Sequence, residues 1–236
     1  MKPSNLTFNK ELIKSKLLDC TSPARRRIED KYFTPSAVLF PLIPHSHKPY
    51  EILVIKRTNR GLKHRGEMSF PGGKVEPRDT SLQDTALREC EEEIGVPRKN
   101  VELLGCLHDF PTLTRYIITA FVGIIDKDQE LTRQVSEVEA IVKVPIDFFV
   151  GKKNFKERAF DIEGKKFPIF YFNYKDPTTG RKFTIWGATA YMIATFILMI
   201  YDYDLSKMGL HRFDIEEIRA LKNYLQYKQK ITKKLI

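Results

Sequence analysis

The sequence has few cysteines and no long apolar run, which argues against a disulfide-rich protein and against a membrane-spanning one. Its three cysteines, Cys20, Cys90 and Cys106, have no metal-ligand spacing and are odd in number, so we expect free thiols and a reducing compartment. The longest apolar run, residues 188–200, is shorter than the roughly 20 residues that span a bilayer and predicts a buried helix. The start of the sequence lacks a signal-peptide pattern, and its last residues do not form a peroxisomal tripeptide. We therefore expect a cytoplasmic protein with no membrane partner.

The composition predicts one globular unit with an affinity for anions. Hydrophobic residues make up 42% of the 236 positions, which is enough for a real core. Lysine and arginine outnumber the acids by 40 to 30, and the resulting net charge of +10 favours phosphate-rich small molecules, nucleic acid or a membrane surface without choosing among them. With no repeats and no low-complexity linker, we expect a helical extension over 1–34, a central domain over 35–205 and a C-terminal helix over 206–236.

Apolar periodicity predicts a layered domain of strands and helices. Strands are expected at 36–43, 50–57, 101–107, 116–125 and 137–144, followed by a hairpin of 167–174 and 182–185. Helices are expected at 10–19, at 187–203 and after Asp214, which can form a capping box with Glu217. The inner stripe of that last helix would be Ile215, Ile218, Leu221 and Leu225. Strands on either side of a helix indicate an α+β or α/β fold.

The most informative segment is residues 72–96, where a double glycine leads into a helix rich in acids. Ser81 can cap this helix with Asp84 three residues later, and Gly95 is placed to end it in the left-handed conformation. Apolar residues recur along it at helical spacing. They are Leu82, Ala86, Leu87, Cys90 and Ile94.

Three carboxylates of this helix share one face. Glu89, Glu92 and Glu93 stand at i, i+3 and i+4. An exposed acidic face is one interpretation. If the cluster is partly buried, the mutual repulsion calls for a cation or a shifted pKa, and oxygen ligands of this kind suit Mg²⁺ or Mn²⁺. The preceding Gly72 and Gly73 would let a ligand approach the main chain, which favours the metal interpretation.

The segment resembles the Nudix box, the signature of Nudix hydrolases. It departs from the common box in three ways: Asp79 replaces a glutamate, Cys90 stands at an aliphatic position, and Arg88 lies one residue further from the glycine. The residues at the fixed positions of the box are Gly73, Asp79, Arg88, Glu89, Glu92, Glu93, Gly95 and Val96. The resemblance implies a Nudix-type α/β/α sandwich with a mixed β-sheet, to which the N-terminal and C-terminal helices are additions.

Residues 52–73, which end in Phe-Pro-Gly-Gly, are similar to the extra motif of the coenzyme A diphosphatase branch of that family, and residues 185–190 resemble it too. The resemblance implies that Glu89 and Glu93 bind metal and that Glu92 is a ligand or a general base. It also implies that Arg88 orients the acids. Glu137 is a candidate base outside the box, although a surface glutamate is the simpler interpretation of it. Substrate-binding groups would be Arg57, Arg65, Gly72 and Gly73.

The expected reaction is hydrolysis of coenzyme A to 3′,5′-ADP and 4′-phosphopantetheine with Mg²⁺ or Mn²⁺. Two alternatives stay open. One is a Nudix enzyme for ADP-ribose, a dinucleoside polyphosphate or capped RNA, and the other is a binding module without catalysis. No aromatic-and-basic stacking motif supports a nucleic-acid partner. A homodimer is left open.

Overall fold

The computed structural model describes residues 3, 5–59, 66–210 and 213–234, which form a mixed α and β structure. Its helices are α1 Lys10–Lys16, α2 Leu82–Ile94, α3 Ile146–Phe149, α4 Gly187–Tyr201 and α5 Ile215–Lys234. Its strands are β1 Thr34–Ile43, β2 Glu51–Arg57, β3 Met68–Ser69, β4 Gly72–Lys74, β5 Val101–Cys106, β6 Phe110–Pro111, β7 Tyr116–Ile125, β8 Val138–Pro145, β9 Phe155–Ile162, β10 Lys165–Lys175 and β11 Lys182–Trp186.

The main sheet has eight strands and mixed directions. Its central pair, β1 and β7, is parallel and in register from Thr34 opposite Tyr116 to Leu42 opposite Ile124. Strands β2 and β4 pair antiparallel with β1, β8 and β3 pair with β2, and β5 and β6 pair with β7. The long apolar strands predicted from the sequence are all present, because near-continuous runs of β-branched and other apolar residues suit strands that are buried on both faces.

Side chains of β1 alternate between two cores, and this alternation defines the layers. Leu39 and Ile43 pack in one cluster with Cys90 of α2, whereas Phe40 and Leu42 pack in the other cluster with α4. Because successive side chains of a strand point to opposite faces, α2 and α4 cover opposite faces of the main sheet. The predicted α/β/α sandwich is therefore confirmed.

A second, three-stranded antiparallel sheet contains the predicted hairpin β10–β11 together with β9. Strand β9 was not predicted, because four of its eight residues are charged and only Ile162 is buried, which leaves little hydrophobic signal. Phe170 of β10 stacks on Tyr191 of α4 with ring centroids 5.5 Å apart, so this sheet packs on the outer helix layer.

The terminal helices form, with corrections to their predicted details. Helix α1 is capped by Asn9 and ends at Lys16, three residues earlier than expected. Asp214 and Glu217 make the predicted reciprocal capping bonds. Ile215 was wrongly placed in the inner stripe of α5, since it is 75% exposed. Phe213, two residues before the start of the helix, instead fills the aromatic cluster beside Phe110 and Tyr191. The boundaries at 35 and 205 remain predictions.

The expectation of three free thiols was wrong. Cys20 and Cys106 form a disulfide, while Cys90 is free and buried, and burial raises the pKa of its thiol to about 12. The pairing arises because Leu18 forms an antiparallel bridge with Cys106, which lays the N-terminal segment along β5. A contact across 86 residues leaves no local signal in the sequence. Within the described ranges, no helix combines the length and apolarity needed to cross a membrane.

Candidate active site

The two glycines of β4 lie where other residues would overlap their neighbours. A Cβ on Gly72 would collide with the main chain of β1 at Ala37 and Val38, and one on Gly73 would collide with the carboxylate of Glu89. The Gly72 N–H donates to Glu93 Oε2 at 2.9 Å. The glycine pair therefore allows two acids of α2 to lie directly against the main chain.

Helix α2 begins and ends as predicted. Ser81 Oγ accepts from the Asp84 N–H at 3.1 Å, and Gly95 ends the helix in the left-handed conformation with φ 73°. The return bond of the capping box comes from the Thr80 N–H to Asp84 Oδ2 at 3.0 Å rather than from Ser81. These two ends fix which side of α2 faces β4 and hence where its acids lie.

Asp79 and Arg88 form a buried, two-pronged ion pair. Arg88 Nε donates to Asp79 Oδ1 at 2.7 Å, and Nη2 donates to Oδ2 at 3.0 Å. Thr85 Oγ1 and the Glu76 N–H also donate to Asp79. Hydrogen bonding to Arg88 holds the pKa of Asp79 well below its ordinary value and raises the pKa of Arg88. Since its guanidinium is held on several sides, Arg88 serves as a fixed support for the acids.

The remaining side of Arg88 supports two of the three predicted acids. Its Nη1 donates to Glu89 Oε1 and to Glu92 Oε2, each at 2.9 Å. The other oxygen of Glu92, an exposed residue, accepts from Arg78 Nη2 at 2.7 Å. Burial raises the pKa of Glu89, and the charge of Arg88 only partly offsets that effect.

Glu93 is the most strongly perturbed acid of the site. It is 2% exposed, and Arg57 Nη1 donates to its Oε1 at 2.9 Å while the Gly72 N–H binds its Oε2. Burial raises the pKa of Glu93 to about 7, although Arg57 and the Gly72 N–H act in the opposite direction. A buried carboxylate with a raised pKa beside a glycine loop is a frequent mark of a functional site.

The donors fit a hard divalent cation, although the three acids are not gathered around one point. In the described part of the chain, no three His, Cys, Asp or Glu side chains are placed together as a metal site. The carboxylate of Glu92 accepts hydrogen bonds from Arg78 and Arg88, and that of Glu93 accepts one from Arg57. The raised pKa values of Glu89 and Glu93 reflect negative charge that burial disfavours, and a cation bound by their oxygens would relieve it.

One further acid lies beside this group. Glu137 is exposed, and its Oε2 lies 3.9 Å from Arg57 Nη2. Its negative charge contributes to the raised pKa of both Glu89 and Glu93. The loop before β8 therefore places Glu137 at the acid cluster, which the residue type alone could not indicate. Arg65 lies outside the described residues.

Two residues of the network were not assigned a role from the sequence. Asp79 was identified as the residue that replaces a glutamate of the box, and the structure shows that it holds Arg88. Arg78 reaches Glu92 from the loop before α2, and nothing in the local pattern singled it out.

Comparison with known proteins gives the family. The model of the NUDIX domain matches residues 33–162. Mouse "Peroxisomal coenzyme A diphosphatase NUDT7" is 31% identical over 70% of this chain and 70% of its own length. "Uncharacterized Nudix hydrolase NudL" of Photorhabdus laumondii is 31% identical over 72% of this chain and 87% of its own length. A solved MutT/nudix family protein from Enterococcus faecalis aligns with TM-score 0.44 and 16% identity over 86% of this chain and 77% of that chain. Because the domain model spans more than half of the sequence, the chain belongs to the Nudix hydrolase family.

Proposed function

We propose that the protein hydrolyses the phosphoanhydride bond of coenzyme A and its derivatives, releasing 3′,5′-ADP and 4′-phosphopantetheine. The observation that carries the proposal is the pair of hydrogen bonds that join Glu93 of α2 to the segment 52–73. The Gly72 N–H and Arg57 both bind this acid, and both belong to the segment 52–73 that resembles the coenzyme A diphosphatase motif. The activity for which the mouse relative is named supports the same substrate.

Mg²⁺ or Mn²⁺ is the cofactor of this proposal. Glu89 and Glu93 would hold it, with Glu92 as a third oxygen donor. When bound, the cation supplies positive charge that offsets the charge of a diphosphate. Arg88 is a positioning residue, because it is bound to Asp79 while its Nη1 fixes Glu89 and Glu92.

The substrate would lie against Gly72 and Gly73, with Arg57 facing its charge. Arg57 is partly exposed and is therefore accessible to an anion while it also holds Glu93. Arg65, from the same basic segment, is the second proposed contact. Because Gly73 has no side chain, the Glu89 carboxylate lies directly against the main chain there, and the phosphate of the substrate would lie beside this pair.

Hydrolysis forms a bond from the oxygen of water to phosphorus, breaks the anhydride P–O bond and releases one proton. Glu92 and Glu137 compete for the role of proton acceptor. Both oxygens of Glu92 accept hydrogen bonds from arginines, which makes it a poorer base. Glu137 is exposed and has only a distant contact with Arg57, so we favour Glu137.

A panel assay tests the proposal. Purified protein with Mg²⁺ or Mn²⁺ is given coenzyme A, ADP-ribose, a dinucleoside polyphosphate and capped RNA, and the products are separated. We expect coenzyme A to be turned over with the highest kcat/KM and to yield 3′,5′-ADP. Preference for another member of the panel would reject the substrate, and binding without turnover of any member would reject the reaction. The variant Glu93→Gln, purified in parallel, excludes a contaminating hydrolase.

A further inference from the structure

A second cleft lies on the other side of the β2–β3 edge from Glu93. It forms where the start of β3 meets β11 and has a volume of about 460 Å³, within the range of roughly 300–1,000 Å³ that is typical of small-molecule sites. The residues that matter for its chemistry are Lys56, Met68, Lys182, Phe183 and Trp186.

Trp186 gives this cleft a fixed aromatic wall. The residue is the only tryptophan of the chain, and it is 41% exposed. Its ring stacks on Tyr171, the residue opposite it on β10, with centroids 6.2 Å apart and an angle of 9° between the planes. A large aromatic side chain that is held in place yet left partly open to solvent is suited to stack against a planar ligand.

Two lysines, Lys56 and Lys182, and one acid, Glu67, line the cleft, so basic groups outnumber acidic ones there. Lys56 Nζ and Arg181 Nη2 both donate to Glu139, at 2.9 and 2.5 Å. Lys182 lines the cleft and makes no ion pair with the described part of the chain. Lys182 is therefore the cation that a phosphate can approach without displacing a carboxylate.

The cleft adjoins the proposed active site through β2 and β3. Lys56, which lines the cleft, directly precedes Arg57, which binds Glu93 on the opposite face of the sheet. Met68 pairs with Lys56 and lies four residues before Gly72. A long ligand that passes over the end of this strand pair can thus contact both places.

We infer that this cleft binds a purine nucleotide, with its base stacked on Trp186 and a phosphate at Lys182. Under the proposed function, on which this assignment of the ligand rests, that nucleotide is the 3′,5′-ADP end of coenzyme A. The pantetheine arm has no ring to stack, so the cleft discriminates between the two halves of the substrate.

Because Trp186 is the sole tryptophan, its fluorescence reports directly on the cleft. The full chain, kept free of metal with a chelator, is titrated with 3′,5′-ADP, 4′-phosphopantetheine or inorganic phosphate. We expect 3′,5′-ADP to quench the emission and to bind at least about 5-fold more tightly than the other two. Equal affinity for all three, or no change in emission, would overturn the inference.

Two variants with matched controls test the named contacts by calorimetry. Trp186→Ala should weaken 3′,5′-ADP binding by about 5- to 150-fold, the range expected for a lost base–aromatic stack, and Lys182→Ala should weaken it as well. Tyr227→Ala removes an aromatic residue that is 64% exposed on α5, and Lys99→Ala removes an exposed lysine in the turn Arg98–Asn100 after α2. Neither control should change the affinity. An unchanged affinity in Trp186→Ala would overturn the inference.

Failure of this inference can be told apart from failure of the proposed reaction. If the protein hydrolyses coenzyme A and Trp186→Ala leaves KM unchanged, the cleft assignment falls and the reaction stands. If coenzyme A is not hydrolysed but 3′,5′-ADP still quenches Trp186, the nucleotide site stands and the reaction falls. With both intact, Trp186→Ala should raise KM for coenzyme A more than it lowers kcat.

Discussion

Helices α2 and α4 cover opposite faces of the same sheet, yet they bury different chemistry. The buried residues of α4 are apolar apart from Thr189, whose hydroxyl donates to the Met68 carbonyl. The buried residues of α2 include Arg88 and Glu93, two charged side chains. Helix α4 thus contributes mainly to the hydrophobic core, whereas α2 contributes buried members of an ion-pair network.

This difference between the buried residues of α2 and α4 indicates which helix carries the functional site. Burying a charge costs several kcal/mol of hydration free energy per ion, and an ion pair offsets that cost only when its geometry is good. Two hydrogen bonds from Arg88 to Asp79 offset the cost of burying Arg88. Glu93 is less well compensated, because its pKa stays raised to about 7 despite the hydrogen bond from Arg57. Glu93, the acid whose negative charge is least compensated, is also one of the acids that the proposal assigns to the metal.

The largest expected effect comes from Glu93→Gln on α2. Glutamine keeps the shape of the side chain but removes the negative charge, so kcat/KM should fall by about 10²- to 10⁴-fold, the range for loss of a group acting directly in the chemistry. Cooperative unfolding should persist. The control is Glu91→Gln, an exposed acid on the same helix, which should keep its activity. Wild-type activity in Glu93→Gln would show that its burial is merely structural.

The matching change on α4 is Phe196→Ala. Phe196 is fully buried and packs on Phe40 with centroids 4.8 Å apart, so its truncation should lower the free energy of unfolding by about 3–5 kcal/mol. Denaturant unfolding measures the loss, and kcat of the folded fraction should be retained. A large fall in kcat of fully folded Phe196→Ala would contradict the assignment of α4 to the core and of α2 to the active site.

Asp79→Asn removes one partner of the buried pair and should lower the free energy of unfolding by about 3 kcal/mol near neutral pH. The pKa of Asp79 is lowered in the folded protein, so its contribution is present above the ordinary value of 3.8 and is lost as pH falls below it. The difference between parent and variant should therefore shrink in acid, as denaturant unfolding at several pH values would show. A difference that does not change with pH would reject the ionised pair; Asp128→Asn, at an exposed acid, provides the control.

The smallest effect is expected for Arg78→Ala, which touches the same network from the solvent side. Arg78 and Glu92 are both exposed, so loss of their pair should change the free energy of unfolding by about 0–1 kcal/mol. Thermal and denaturant unfolding would check this. A loss of unfolding free energy as large as that of Asp79→Asn would mean that burial does not explain the difference between the Arg88–Asp79 and Arg78–Glu92 pairs.

Most of the scaffold was predictable because its signals are local. Continuous apolar runs predicted β1, β2 and β7, and the capped helix with its glycine stop predicted α2. Strand β9 was missed because its exposed polar residues owe their conformation to pairing with β10. The site was predicted in its residue types but not in its partners: Asp79 for Arg88, and Arg57 for Glu93.

The sequence by itself determined the glycine loop, the capped acidic helix and the apolar strands, because residue type and spacing along a short stretch decide the local structure and the face that each side chain takes. Only the tertiary structure decided which charges are buried, which arginine holds which acid, and that Cys20 meets Cys106. Those outcomes depend on contacts between distant segments and on exclusion of water, and neither is written in any short stretch of sequence.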